Sequence, residues 1–367
     1  MSARTRPPFR AEHVGSLLRP AALKEARARH AAGALGAAAL EEIEDREIER
    51  VIAAQERTGL EAVTDGELRR SWWHLDFLWG LDGLARHALP TGVAFAGAAT
   101  RAEGVRVAGK IRFSGHPMIE HFRFLRERTR RTPKMTLPAP SALYGRPAPL
   151  PIDESVYPDR EELFADLGRA YRDAVRAFAA AGCRYLQLDE VFLAMLCDPR
   201  YRQQMAERGD DPARLAERFA DLVNEAIADA PPDMIVTVHL CRGNYRSTFM
   251  GEGGYEAVQD VLFNRLRVHG LFLEYDDERS GSFEVLRFLP RDKIAVLGIV
   301  TTKRGALESK DHIKRRIDEA ARFADPDRLC LSCQCGFAST EEGNLLGEDE
   351  QWAKLSRIVE VAHEVWG

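Results

Sequence analysis

His239 and Cys241 stand two residues apart in the stretch VTVHLCRGNYRS, at the end of an apolar, β-branched run that breaks at Gly243. In an extended strand, residues two apart point to the same face. An imidazole and a thiol on one face can share one ion, and zinc takes both in tetrahedral geometry at roughly 2.0–2.3 Å. Further ligands must come from elsewhere in the chain. Cys335 is the best soft candidate, and Gly336 after it allows close backbone approach. Glu274, in the next apolar run, can add a carboxylate that yields to a substrate. One His, two Cys and one Glu differ from a closed structural site of four cysteines.

The elements that must position these residues alternate along the chain. Short β-rich runs occur at 12–16, 61–67, 134–140, 184–190, 234–241, 270–277, 293–302 and 328–336. Between most of them lie amphipathic helical patterns, at Ala38–Thr58, Arg160–Ala181, Asp211–Asp229, Lys310–Phe323 and Asp349–Val365. Nearly continuous apolar strands alternating with helices indicate a parallel sheet covered on its faces. Eight such units predict the α/β class and a (β/α)8 TIM barrel. An open doubly wound sheet would call for a Gly-rich phosphate loop after the first strand, and HVGSLLRP is not one. Residues 1–367 therefore read as one barrel domain, with 71–133 as an insertion after the second strand whose second piece, 95–115, alternates around a Gly and reads as a hairpin over part of the barrel mouth.

In such a barrel the chemistry collects at the C-terminal ends of the strands. Ligand-type residues recur there: Asp65-Gly66-Glu67 after the second run, Asp189-Glu190 after the fourth, His239 and Cys241 after the fifth, Glu274 in the sixth, Cys335 after the eighth. A lone His or Cys in a strand is ordinarily packed core, but this many at one end of different strands is a site. Asp65 also fits a helix cap. Trp72, Trp73, Phe77 and Trp79 read first as core of the insertion, with walling of the cavity as the alternative. Arg242 and Arg246 fit either steering of an anionic substrate or surface ion pairs, and Asn244 and Tyr245 fit a shell that orients metal ligands.

Composition narrows the partners. Lys and Arg number 52 against 57 Asp and Glu, for a net charge of −5, which argues against nucleic acid or an anionic membrane as the main partner. No apolar run is long enough to span a bilayer, and MSARTRPPFR lacks the apolar segment of a secretory leader. Six cysteines, three of them in CLSCQC, fit thiolate or metal chemistry in a reducing cytoplasm better than a disulfide framework.

The string HLCRGNY…FLEYDD…VLGIVTTK…LSCQCGFAS, together with HVGSLLRP, DGE and LQLDE, is similar to the catalytic barrel of cobalamin-independent methionine synthases and their short single-domain relatives, including epoxyalkane:coenzyme M transferases. The resemblance implies a zinc ion that activates a substrate thiol, held by His239, Cys241, Glu274 and Cys335. It implies a homocysteine-like thiol bound by Ser16, Glu67 and Asp189, with Glu190 beside them. An alkyl donor is the second small-molecule partner. The bound sulfur attacks an electrophilic carbon, and Asp189, Glu190, His13 and Lys303 are the candidates for protonating the leaving group. The chain departs from the synthases in three places. It reads IVTTKRG where they carry a proton-handling His after the seventh strand. LPAPSALYGR lacks the Trp of their folate segment, and Cys333 replaces a common Pro. A non-folate electrophile such as an epoxide, or a non-catalytic thiol and metal binder, are the alternatives.

Overall fold

The computed structural model describes residues 4–146 and 150–367. Residues 1–3, part of the stretch read above for a leader, and 147–149 lie outside the described residues. Parallel strands form at all eight expected runs: β1 (Ala11–Glu12), β2 (Ala62–Val63), β3 (Met135–Pro138), β4 (Tyr185–Asp189), β5 (Ile235–Leu240), β6 (Gly270–Glu274), β7 (Ile294–Val300) and β8 (Leu329–Cys333). Seven of them make one parallel sheet in the order β1–β8–β7–β6–β5–β4–β3. β2 pairs instead with Thr132–Pro133, which run directly into β3. Strands β3, β4, β6 and β8 are buried along their whole length, as strands covered on both faces must be.

The sheet curls until its two edges meet across the interior. Lys134, at the β3 edge, donates to the His13 carbonyl just beyond β1 at 2.7 Å. Gln187 on β4 donates to the Val14 carbonyl at 2.8 Å, and the Tyr185 hydroxyl to Glu12 at 2.8 Å. The expected eight-stranded barrel is thus met in part, as a curled parallel sheet. No strand ladder joins β1 to β2 among the described residues. Both strands are two residues long, so single bonds cross that seam: His13 Nε2 donates to the Ala62 carbonyl at 3.1 Å, and Leu17 N to the Gly66 carbonyl at 3.0 Å.

The five long helices fall at Ala37–Thr58, Arg160–Ala180, Pro212–Ala226, Lys310–Ala321 and Glu348–Trp366. Their starts follow local chemistry. Asp159 and Asp211 accept backbone N–H bonds at two of the N-termini, and Pro212 occupies the first turn of the second, where its missing N–H costs nothing. Two of the connections, β5 to β6 and β6 to β7, carry only short 3₁₀ or π turns in place of an α-helix. Within 71–133, Asp82–Ala88 pairs antiparallel with Glu103–Arg112, and a smaller ladder, Ala94–Phe95 with Ala98–Ala99, forms its tip around Gly97. The hairpin therefore starts earlier than the piece 95–115 alone.

Candidate metal centre and cavity

β5 and β6 lie side by side, with His239 opposite Phe272 and Leu240 opposite Leu273. His239 is the fifth residue of β5, Cys241 follows the strand, and Glu274 ends β6. Tyr255 ties these ends together. Its hydroxyl donates to the Leu240 carbonyl at 3.3 Å and accepts from the Glu274 amide at 2.8 Å and the Arg242 guanidinium at 2.9 Å. Arg242 is fully buried, and its Nε and Nη2 donate to the Gly253 carbonyl. It therefore neither steers substrate nor makes a surface ion pair; Arg246, by contrast, is exposed.

Cys335 comes from the end of β8, two strands along the sheet from β6. The Asn244 side chain donates to the Gly336 carbonyl at 2.7 Å, and the Thr302 hydroxyl donates to the same oxygen at 3.1 Å. Asn244 thus fixes the turn that carries Cys335. Gly336 lies against Ser16: a Cβ there would sit 1.9 Å from the Ser16 hydroxyl, so the close approach requires glycine. Gly243 has φ +83, and a Cβ there would meet Met250 at 2.7 Å, which explains why the strand breaks where it does.

Ligand atoms of His239, Cys241, Glu274 and Cys335 all lie within 4.8 Å of one another, and all four residues are buried. The two sulfurs are 3.5 Å apart, against about 3.7 Å for two sulfurs bonded tetrahedrally to one zinc at ~2.3 Å. Both ring nitrogens of His239 and both carboxylate oxygens of Glu274 have no hydrogen-bond partner among the described residues. The nearest cation to Glu274 is Arg279, whose Nη2 stands 3.6 Å from Oε2, too far for a hydrogen bond. Leaving such groups buried and unpaired costs about 1–3 kcal/mol each. An ion among them removes that cost, so the donor set fits a metal. Cys241 and Cys335 share a hydrogen bond, which raises the pKa of the first thiol and lowers that of the second.

His239, Cys241 and Cys335 line one cavity with Ser16, Glu67 and Asp189; Glu274 does not line it. Glu67 takes a left-handed conformation, φ +58, which costs a non-glycine residue of order 1–3 kcal/mol. Asp65 holds that turn by accepting the Glu67 amide at 2.8 Å, so it caps a turn and not a helix. Glu67 Oε1 accepts from the Thr136 hydroxyl at 2.7 Å, while Oε2 is buried without a partner. Burial first, then the charge of Glu67, raise the pKa of Asp189 to about 7, against the pull of His239 and of the Gln187 side chain.

Three expected site residues do not line the cavity, although Lys303 is close enough for its charge to act on Glu274 and Cys335. His13 does not line the cavity. Its Nε2–H is spent on Ala62 across the seam, and burial, then Lys134, lower its pKa to about 3, so it is neutral and cannot act as a general acid. Glu190 caps the short helix Val191–Met195 through the Leu193 amide and accepts from Ser141, away from the cavity lining. Lys303 pairs with Asp276 at 3.3 Å and does not line the cavity. Of the aromatic run, Trp72 and Trp73 wall the cavity, Phe77 is core, and Trp79 stacks under Arg86. Tyr245 is wall as well. Sequence reasoning missed His74 and Arg146, which both line the cavity. The signal for His74 was its place inside SWWHLDF; Arg146 had none, since nothing local marks one arginine among many.

A curled parallel α/β sheet with a buried His/Cys/Glu cluster at its strand ends defines a candidate metalloprotein. The comparisons give that class its family. The model described as "Cobalamin-independent synthase, Catalytic domain" matches residues 9–364, and the chain belongs to that family. It is 49 % identical over 362 residues to the uncharacterized protein YxjH of Bacillus subtilis, covering 98 % of this chain and 95 % of that one. It is 25 % identical over 288 residues to a methionine synthase of Pyrococcus abyssi, covering 78 % and 74 % of the two chains. Among solved structures it is similar to a putative vitamin-B12 independent methionine synthase from Listeria monocytogenes, with a TM-score of 0.80, 36 % identity and coverage of 99 % and 100 %. The family points to a methyltransferase of the methionine-synthase type. No helix among the described residues is long and apolar enough to cross a membrane.

Proposed function

We propose that this chain is a zinc-dependent thiol methyltransferase that alkylates a homocysteine-like amino-acid thiol. The observation that carries the reading is one cavity lined both by metal-type donors and by two buried carboxylates, Glu67 and Asp189. His239, Cys241 and Cys335 would hold the zinc ion, with Glu274 as the ligand that gives way to substrate. When bound there, zinc supplies the positive charge that keeps a substrate sulfur as thiolate at neutral pH. Glu67 and Asp189 anchor the substrate ammonium, and the Ser16 hydroxyl lies beside the Cys335–Gly336 turn to orient the rest of the amino acid. Trp72, Phe95 and Tyr245 exclude water from the reacting sulfur. Asp189 is the candidate proton-holding group that lines the cavity. In this reading the eight parallel strands act as one closed barrel and the hairpin of 71–133 covers its mouth.

A donor other than a folate is favoured by a specific absence in the sequence: IVTTKRG puts Thr301, Thr302 and Lys303, and no His, at the end of β7. Thr301 and Lys303 are bound to Asp276, and Thr302 to Gln334 and Gly336. Incubating the zinc-loaded protein with a panel of thiols and methyl or epoxide donors, and identifying thioether products by mass spectrometry, tests the proposal. Formation of methionine from homocysteine with one of the methyl donors is the expected result. Alkylation only of thiols without an ammonium would overturn it.

A further inference from the structure

Arg146 lines the cavity, is 7 % exposed, and has no carboxylate partner among the described residues. Its Nη2 donates to the Glu103 carbonyl at 3.4 Å, and its buried Nη1 has no partner among the described residues. The Glu103 side chain is engaged elsewhere: it accepts from Trp72 Nε1 at 2.8 Å and pairs with Arg101 and Arg86. Arg101, on the same hairpin, shows the usual arrangement, with ion pairs to Glu341 and Glu342. Burial lowers the pKa of Arg146 to about 10, and none of its hydrogen bonds or ion pairs among the described residues is to an acidic side chain. The guanidinium stays charged at neutral pH even so. A buried cation without a counter-charge is costly. One that faces a cavity has a simple relief, an anion brought by the ligand. Next to it His74, stacked on Trp73 at 4.4 Å between ring centres, has a buried Nδ1 without a partner, and burial and Arg146 hold its pKa well below the ordinary value. A neutral imidazole can donate to an oxyanion as a hydrogen-bond partner without adding charge.

We infer that Arg146, with His74 beside it, binds an oxyanion carried by the alkyl donor, in the simplest case a carboxylate. The inference rests on the two-substrate reading above. It assigns the anion to the donor because Arg146 packs under the hairpin against Glu103, while Glu67 and Asp189 would take the thiol's ammonium. A donor of this class combines an apolar or aromatic body, against Trp73 and Phe95, with an acidic group.

Calorimetric titration of the zinc-loaded full chain, without thiol, tests this with two acid donors and their counterparts lacking the acid. The pairs are 5-methyltetrahydrofolate against the dimethyl ester of its glutamyl group, and dimethylsulfoniopropionate against its methyl ester. At least one acid should bind about ten- to a hundredfold more tightly than its counterpart, as a charge-assisted bond provides. Which pair shows the preference separates a pterin-borne acid from a small sulfonium acid. Arg146→Met should abolish the preference and Arg146→Lys keep part of it, with homocysteine affinity equal in all three proteins. Arg146→Met should melt no lower than the parent, since it removes an unpaired buried charge. If it fails to fold, the acid comparison in the parent and in Arg146→Lys decides. Equal binding of acid and counterpart in the parent, or no saturable binding of either acid at millimolar concentration, overturns the inference. So does an Arg146→Met protein that keeps the preference, or one that loses homocysteine instead. If the parent fails to bind homocysteine while the acid preference follows Arg146, the thiol reading fails and the donor site stands.

Discussion

Replacing Cys335 with serine should remove the zinc and with it a measurable part of the protein's thermal stability. The cluster leaves an imidazole and a carboxylate buried without hydrogen bonds, and the two sulfurs close together at 3.5 Å. An ion that binds only the folded chain stabilises it by about 4.1 kcal/mol when its free concentration is about a thousand times the dissociation constant. Unfolding entropy is about 2.1 cal/mol/K per residue, so 367 residues give about 0.77 kcal/mol/K. The quotient is a shift of about 5 °C between chelated and zinc-loaded parent. Serine is nearly the size of cysteine but offers an alcohol of very high pKa in place of a thiolate, so the soft ligand is lost while the packing survives. Cys335→Ser should therefore unfold at about the same temperature with or without zinc, close to the chelated parent. Elemental analysis after dialysis against limited zinc, and melting by differential scanning calorimetry, supply the two readings. Full zinc occupancy in both Cys335→Ser and Cys241→Ser, with the 5 °C increment intact, would refute the ligand assignment.

Glu67→Gln and Asp189→Asn should each weaken homocysteine binding roughly ten- to a hundredfold, from charge-assisted bonds worth about 1.5–3 kcal/mol, while zinc content stays the same. Calorimetric titration decides this, and unchanged affinity in both would mean that the acceptor is another thiol. Turnover with methyltetrahydrofolate should fall far below about 1 s⁻¹, because no general acid stands free at the end of β7, and such acids contribute about 10²–10⁴-fold. Steady-state assays reaching ~1 s⁻¹ with that donor would restore an ordinary folate-dependent synthase. His13 should affect stability and not chemistry. The unfolded chain takes up a proton at His13 below pH 6.5, whereas the folded chain does so only near 3. Stability is therefore retained above about pH 6.5 and lost as pH falls toward 3, by up to about 1.4 kcal/mol per pH unit. His116 and His121, both near 4, act in the same direction. Denaturant melts of His13→Gln should show a shallower acid limb; an unchanged limb would place the proton elsewhere.

The sequence by itself determined the strands, the long helices and the four metal-type residues. Short continuous apolar runs such as LFLE and IAVLGIV, the second rich in β-branched residues, fit strands buried on both faces, and a period of two points His239 and Cys241 to one face where the chain stays extended. Those are local rules, so they are legible locally. Only the tertiary structure decided how β1 and β2 meet, because both are too short to pair and side chains cross between them instead. It also decided which polar residues face the cavity. His13, Glu190 and Lys303 have the right chemistry at the right strand ends, but each is spent on a partner far away in sequence or on a helix cap. Arg146 is the converse: ordinary in the sequence, it is left without a carboxylate only because Glu103 is turned toward Trp72 and Arg101. Whether a charge is free depends on every neighbour that could neutralise it, and those neighbours are assembled by the fold.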